Sequence, residues 1–202
     1  LDRAFVFAPA SMLRLSDFLT TENRLEGLGI FTTHDFQMAM RNDGKFDVDL
    51  RARERNGMGG STLQAAASTF RGILWSTAYP DYYNIRQSAI NLNSLVRWDS
   101  QKRRLFASLS GPLRANPKYR LQVGTDLRNE NWGVRGPPAG NLPLDALNVR
   151  RESAGISFTS FSGGRWTWTT GTELSHRDYR NVLAGPSLTP VLLEGYQLKH
   201  LA

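Results

Sequence analysis

Apolar residues at positions 15, 18, 19, 25 and 28 recur at helical spacing and predict a helix over 17–28. Ser16 is placed to cap it, Asp17 sits near its positive end, and Gly29 supplies a left-handed stop. The period then changes to two. His34, Phe36, Met38 and Met40 alternate with Asp35, Gln37, Ala39 and Arg41, and Asn42-Asp43-Gly44-Lys45 reads as a tight turn. Phe46, Val48, Leu50 and Ala52 alternate with Asp47, Asp49, Arg51 and Arg53 on the way back. Helix, strand, turn and strand make a small α+β unit, residues 1–56, with the helix over one sheet face. Such a unit buries little apolar area by itself and is expected to lean on a further strand or helix upstream.

Residues 57–61 follow as a glycine-rich hinge, and no further helix is expected in 62–202. Three alternations stand out there: Ile90, Leu92, Ser94, Val96 and Trp98; Tyr119, Leu121, Val123, Thr125 and Leu127; Trp166, Trp168, Thr170, Thr172 and Leu174. Strands of about ten to fourteen residues exceed the usual length of about five or six and suit a tilted membrane crossing. Alternation alone leaves two architectures open, a soluble sandwich with a dry core and a membrane barrel with a wet lumen. Three features favour the barrel. The polar face carries both signs of charge with many Asn, Gln, Ser and Thr; short polar turns at 99–102 and 162–164 contrast with a long connection over 131–147; and aromatics gather near strand ends, at Trp75, Tyr79, Tyr82 and Tyr83 and at Trp98, Tyr119, Trp132 and Tyr179.

Composition narrows the function classes. The 202 residues include no Cys, which excludes a disulfide scaffold and any thiol site. No run approaches the roughly eighteen apolar residues of a membrane helix. The chain opens at Leu1-Asp2-Arg3 with no signal-peptide pattern and stops within a strand-like run, 196–202, so it is expected to be a piece of a longer polypeptide. No catalytic residues, cofactor or metal are expected. His34, His176 and His200 lack partners in sequence, Gly57-Met58-Gly59-Gly60 lacks the continuation of a dinucleotide loop, and Asp47/Asp49 and Asp126/Glu130 resemble ordinary pairs on wet strands. The net charge of +7 is scattered, densest at Lys102-Arg103-Arg104 and Arg150-Arg151, and does not interleave with aromatics as nucleic-acid binding would require. Arginines at strand ends are expected to meet lipid phosphate or lipopolysaccharide, or to form lumenal ion pairs.

The run Glu22-Asn23-Arg24-Leu25-Glu26-Gly27-Leu28-Gly29-Ile30-Phe31, with the hairpin ending Glu54-Arg55-Asn56, resembles the last POTRA repeat of the BamA/TamA superfamily of outer-membrane assembly proteins. Leu28, Gly29 and Phe31 match that repeat's helix-end signature, and Glu54, Arg55 and Asn56 match the lead into the barrel. Pro80-Asp81-Tyr82-Tyr83-Asn84, Arg97-Trp98-Asp99 and Leu109-Ser110-Gly111-Pro112-Leu113 look like the early barrel of TamA-like members. The resemblance covers about residues 15–130 well and the remainder loosely. It implies a POTRA-like periplasmic unit followed by antiparallel strands of an incomplete transmembrane β-barrel in the outer membrane of a Gram-negative-type cell. It also implies unfolded outer-membrane protein clients as partners, and a periplasmic or inner-membrane partner protein. Asp35, Gln37 and Ala39 are then expected at a strand-addition edge, and Leu92, Val96, Leu121 and Val123 are expected to face lipid. Two departures stand. Val134-Arg135-Gly136 is followed by Pro137 where the family has an aromatic residue, so it reads as an ordinary loop; and 62–202 allows six to eight strands where the family uses sixteen. Two other readings remain, a soluble β-rich binding or structural domain and a small outer-membrane barrel serving as pore or anchor.

Overall fold

A computed structural model describes residues 1–58, 62–134, 145–163, 166–183 and 195–202. After a 3-10 turn at Asp2–Ala4, helix α1 spans Leu15–Leu28 and ends at Gly29, whose φ of 65° is the left-handed stop that a glycine adopts without a Cβ clash. The helix starts before Ser16. Arg14 occupies the N-cap without a side-chain cap, and the Ser16 hydroxyl turns to Asp17 instead of closing the helix end. Strands β1 (Phe31–Met40) and β2 (Phe46–Glu54) form the expected hairpin, a two-stranded sheet of their own. Phe18 of α1 meets Phe36 of β1 at 4.9 Å between rings, and Phe5 closes on Phe36 edge-on. The buried apolar set is small: Ala4, Leu25, Leu28, Ile30 and Ala89, flanked by Phe31, Phe36 and Leu50.

The expectation of no helix beyond the hinge fails. Helix α2 occupies Thr62–Leu74. Its alanines favour the helix, and Leu63, Ala66, Ala67, Phe70, Ile73 and Leu74 recur at three- and four-residue spacing, a signal that the neighbouring glycines mask. Two short strands follow, β3 (Thr77–Ala78) and β4 (Tyr82–Ile85), and both pair with β5 (Ile90–Trp98). The chain then runs as an antiparallel meander through β6 (Lys102–Leu113), β7 (Asn116–Val134), β8 (Asp145–Gly163), β9 (Trp166–Leu183) and β10 (Gly195–Leu201). The result is one eight-stranded sheet in the order β10-β9-β8-β7-β6-β5-β3, with β4 beside β5. It is open, because β10 and β3 have no partner on their outer sides among the described residues.

β7 and β8 reach 19 residues each, longer than the alternation suggested, because their ladder continues to Val134↔Asp145. The expected 131–147 connection therefore shrinks to 135–144. Connections also sort differently by end. The short turn after Trp98 lies at the same end as Val134 and Leu183, whereas the turn at 114–115 lies at the opposite end with α1.

The α1 end is fixed to the sheet by polar contacts. Asn91 Nδ2 donates to Leu28 O at 2.8 Å, its Oδ1 accepts from Asn84 N at 3.0 Å, and Asn84 Nδ2 donates to Asn56 Oδ1 at 2.7 Å. Arg24 Nε donates to Phe161 O at 3.3 Å, and Gly27 lies where any Cβ would come within 2.5 Å of the Phe161 ring. Two predictions follow from these local geometries. Asn91→Ala orphans a helix-end carbonyl and an amide, so the full chain in detergent micelles should lose about 1–3 kcal/mol of unfolding free energy in a denaturant titration, whereas Asn93→Ala should lose little. Arg114 and Ala115 both sit at positive φ, 51° and 57°, in the two-residue β6–β7 turn. Replacing them with Asn and Gly should raise the same unfolding free energy, by about 1 kcal/mol.

Candidate functional site

Cross-strand partners share a face, so the register sorts every side chain of the large sheet. One face presents apolar rows: Leu92↔Leu109↔Val123↔Ile156, Val96↔Leu105↔Leu127, and Leu121↔Phe158. The expected lipid-facing residues Leu92, Val96, Leu121 and Val123 all lie on it. This face is the open one: Leu105 is 47%, Leu109 49%, Val123 48% and Ile156 45% exposed. Tyr119 stacks on Phe158, which meets Trp168 at 5.5 Å, and these rings bound the face at the α1 end. Trp98, Arg103, Asn129, Arg150 and Asp178 pair across the other limit. From Tyr119 to Asn129 the strand rises about 33 Å, which at a tilt of about 40° gives a band about 25 Å tall, the height of an outer-membrane barrel's apolar belt.

The opposite face is polar and shielded. Ser108, Ser110 and Asn91 are each 2% exposed. Longer polar side chains lie across the serines: Gln122 Nε2 donates to Ser108 Oγ at 3.0 Å, and Arg120 Nη2 donates to Ser110 Oγ at 2.8 Å. Asp126 takes both nitrogens of a bidentate Arg104 at 2.9 Å and the Arg128 guanidinium as well. Arg151 Nη2 donates to Glu173 at 2.6 Å, across the space left by Gly155. In the turn beyond Trp98, the backbone amide of Lys102, joined by Arg97 and the amide of Gln101, holds the Asp99 carboxyl below its ordinary pKa.

The junction between the hairpin and the sheet uses the residues that follow β2. Arg55 lies over the Tyr83 ring at 5.1 Å and donates its amide to Ile30 O, Asn56 holds Asn84, and Gly57 exchanges backbone bonds with Tyr83. Gly57 and Met58 are described, and the rest of the hinge, 59–61, lies outside the described residues, as do Arg135 and Gly136; Val134 closes β7. Asp35, Gln37 and Ala39 lie on β1, whose outer side has no partner strand among the described residues. Their backbone direction corrects the expected edge. Arg41 N donates to Lys45 O, and donors alternate along an antiparallel strand, so the amides of 35, 37 and 39 turn toward β2. The amides of His34, Phe36 and Met38 point to the open side.

Along the sequence the basic residues are scattered. Register brings several onto one face, and the cue was the constant parity that alternation and the short turns impose. Among the described residues no cluster of acidic and histidine side chains forms a metal site, and no helix is long and apolar enough to cross a membrane. No known family and no curated protein matches the chain. A solved structure, the crystal structure of BamA from Haemophilus ducreyi lacking POTRA domains 1–3, overlaps 98% of this chain at 15% identity and a TM-score of 0.46, and this chain spans 38% of it.

Proposed function

We propose that the large sheet is part of the wall of an outer-membrane β-barrel, with its apolar face in lipid, its polar face toward a wet lumen, and the α1–hairpin unit on the periplasmic side. One observation carries this reading: the sheet exposes its apolar face and shields its polar one, the reverse of a soluble sandwich. The two-residue turn at 114–115, on the α1 side, supports the orientation. Within that frame the function is assembly or insertion of outer-membrane proteins, which the motif resemblance at Leu28, Gly29 and Phe31 and at Glu54, Arg55 and Asn56 suggests. The open side of β1 supports a role in receiving client chains by strand addition.

Two experiments test these readings. Nitroxides placed singly at Leu92, Val96, Leu121 and Val123 in liposomes should be accessible to oxygen and shielded from a water-soluble relaxer, with the opposite result at Asn93, Arg97, Gln122 and Asp126. Shielding of Leu92 and Leu121 from both relaxers would establish a dry protein core and a soluble sandwich. For the edge, Met38→Pro should weaken crosslinking to an unfolded barrel precursor severalfold while circular dichroism stays unchanged, since the lost amide faces outward. Gln37→Pro removes an inward donor and should disrupt the hairpin itself. If Met38→Pro folds and captures precursor as well as the parent, the hairpin is a spacer or a docking site for a partner protein.

A further inference from the structure

The polar face carries a row of arginines in direct register. Arg97 pairs with Arg104, Arg104 with Arg128, Arg128 with Arg151, and Arg151 with Arg177, so five adjacent strands each place one guanidinium at the same level. At about 4.8 Å between strands, the row spans about 19 Å. Like charges directly opposite one another are destabilising, and here every neighbour in the row is like-charged. The neighbouring carboxylates only partly offset this. Asp99 holds Arg97, Asp126 serves Arg104 and Arg128 together, and Glu173 holds Arg151. Arg177 has no partner among the described residues. The same face brings Lys199 opposite Glu173 and Lys102 opposite Glu130, which adds no surplus of acid.

Two further observations point to a missing acceptor. Arg151 Nε is buried without a hydrogen-bond partner among the described residues, and so is the Ser175 hydroxyl, which is 1% exposed and lies two residues from Arg177 on the same face. On the outer face the same level is occupied by Arg103, Asn129 and Arg150, so the row sits at the limit of the apolar band.

We infer that this row is an oxyanion-binding rim at the lumenal mouth, and that it takes a polyvalent ligand carrying phosphate or carboxylate groups. The location rests on the membrane reading above. Planar guanidinium groups at strand spacing offer paired donors to successive oxyanions, and Arg151 Nε, Arg177 and Ser175 Oγ supply the donors left unused. A ligand bound there offsets the repulsion along the row.

The test is calorimetric titration of the full chain in zwitterionic detergent micelles with tripolyphosphate and, separately, citrate. Saturable binding of either is expected, weakened by added salt, and the preferred probe identifies phosphate or carboxylate as the source. Arg177→Gln removes no ion pair among the described residues and should weaken binding about tenfold. Arg151→Lys keeps the charge, loses the planar fork, and should also weaken it. Arg103→Gln removes the same charge from the opposite face and should change binding less than about twofold. Absence of saturable binding, equal weakening by Arg103→Gln, or unchanged affinity in both Arg177→Gln and Arg151→Lys would overturn the proposal. Nitroxide accessibility on the apolar face is read independently, so failure of the membrane reading is distinguishable from failure of the rim.

Discussion

The antiparallel backbone ladder is the interaction on which the rest of this molecule depends. Among the described residues few apolar side chains are fully buried, and these cluster under α1, so their burial cannot account for an eight-stranded sheet. Ladder hydrogen bonds fix the strands, and alternation then delivers polar side chains to one face and apolar side chains to the other without regard to which is wet. The apolar face gains its stabilisation only where water is absent. A sheet of this kind is specified by its register, since a shift of one residue would put Arg104 and Asp126 where Leu105 and Leu127 now stand.

On the polar face, small and long side chains divide the work. Ser108, Gly124 and Gly155 lie in one cross-strand row, and their small size leaves room for Gln122 and Arg151 to lie across their neighbours. Bidentate contact of Arg104 with Asp126, shared by Arg128, ties the β6 and β7 strands in addition to the ladder. The same economy of carboxylates that makes Asp126 serve two guanidinium groups leaves the far end of the row, at Arg177, unserved among the described residues.

Much of this architecture was legible from period alone. β5 occupies the 90–98 alternation, and Gly29 and the 42–45 turn end the elements they were expected to end. What escaped was of two kinds. Helix α2 was obscured because glycine and small residues beside it look like linker, and the alanines that favour it carry little hydrophobic contrast. The arginine row was invisible because it is a property of register across four strand pairs, while sequence periodicity speaks for one strand at a time. The direction of the β1 amides escaped for a related reason: side-chain alternation does not say which donors a hairpin closes upon, and the single bond from Arg41 to Lys45 settles it.

Asn91 has a consequence for the order of folding. It satisfies the last carbonyl of α1 from 63 residues downstream, and Asn84 and Asn56 join the same hydrogen-bonded path. The helix and hairpin are local and can form as soon as they emerge. Their final seat cannot form until β5 exists, and β5 in turn is held by β6. Loop closure over that separation makes docking a late, slow event compared with helix formation. A newly delivered chain would therefore carry its N-terminal unit on a slack tether while the sheet is built, and would set the angle between the two parts only when the first long hairpin is complete.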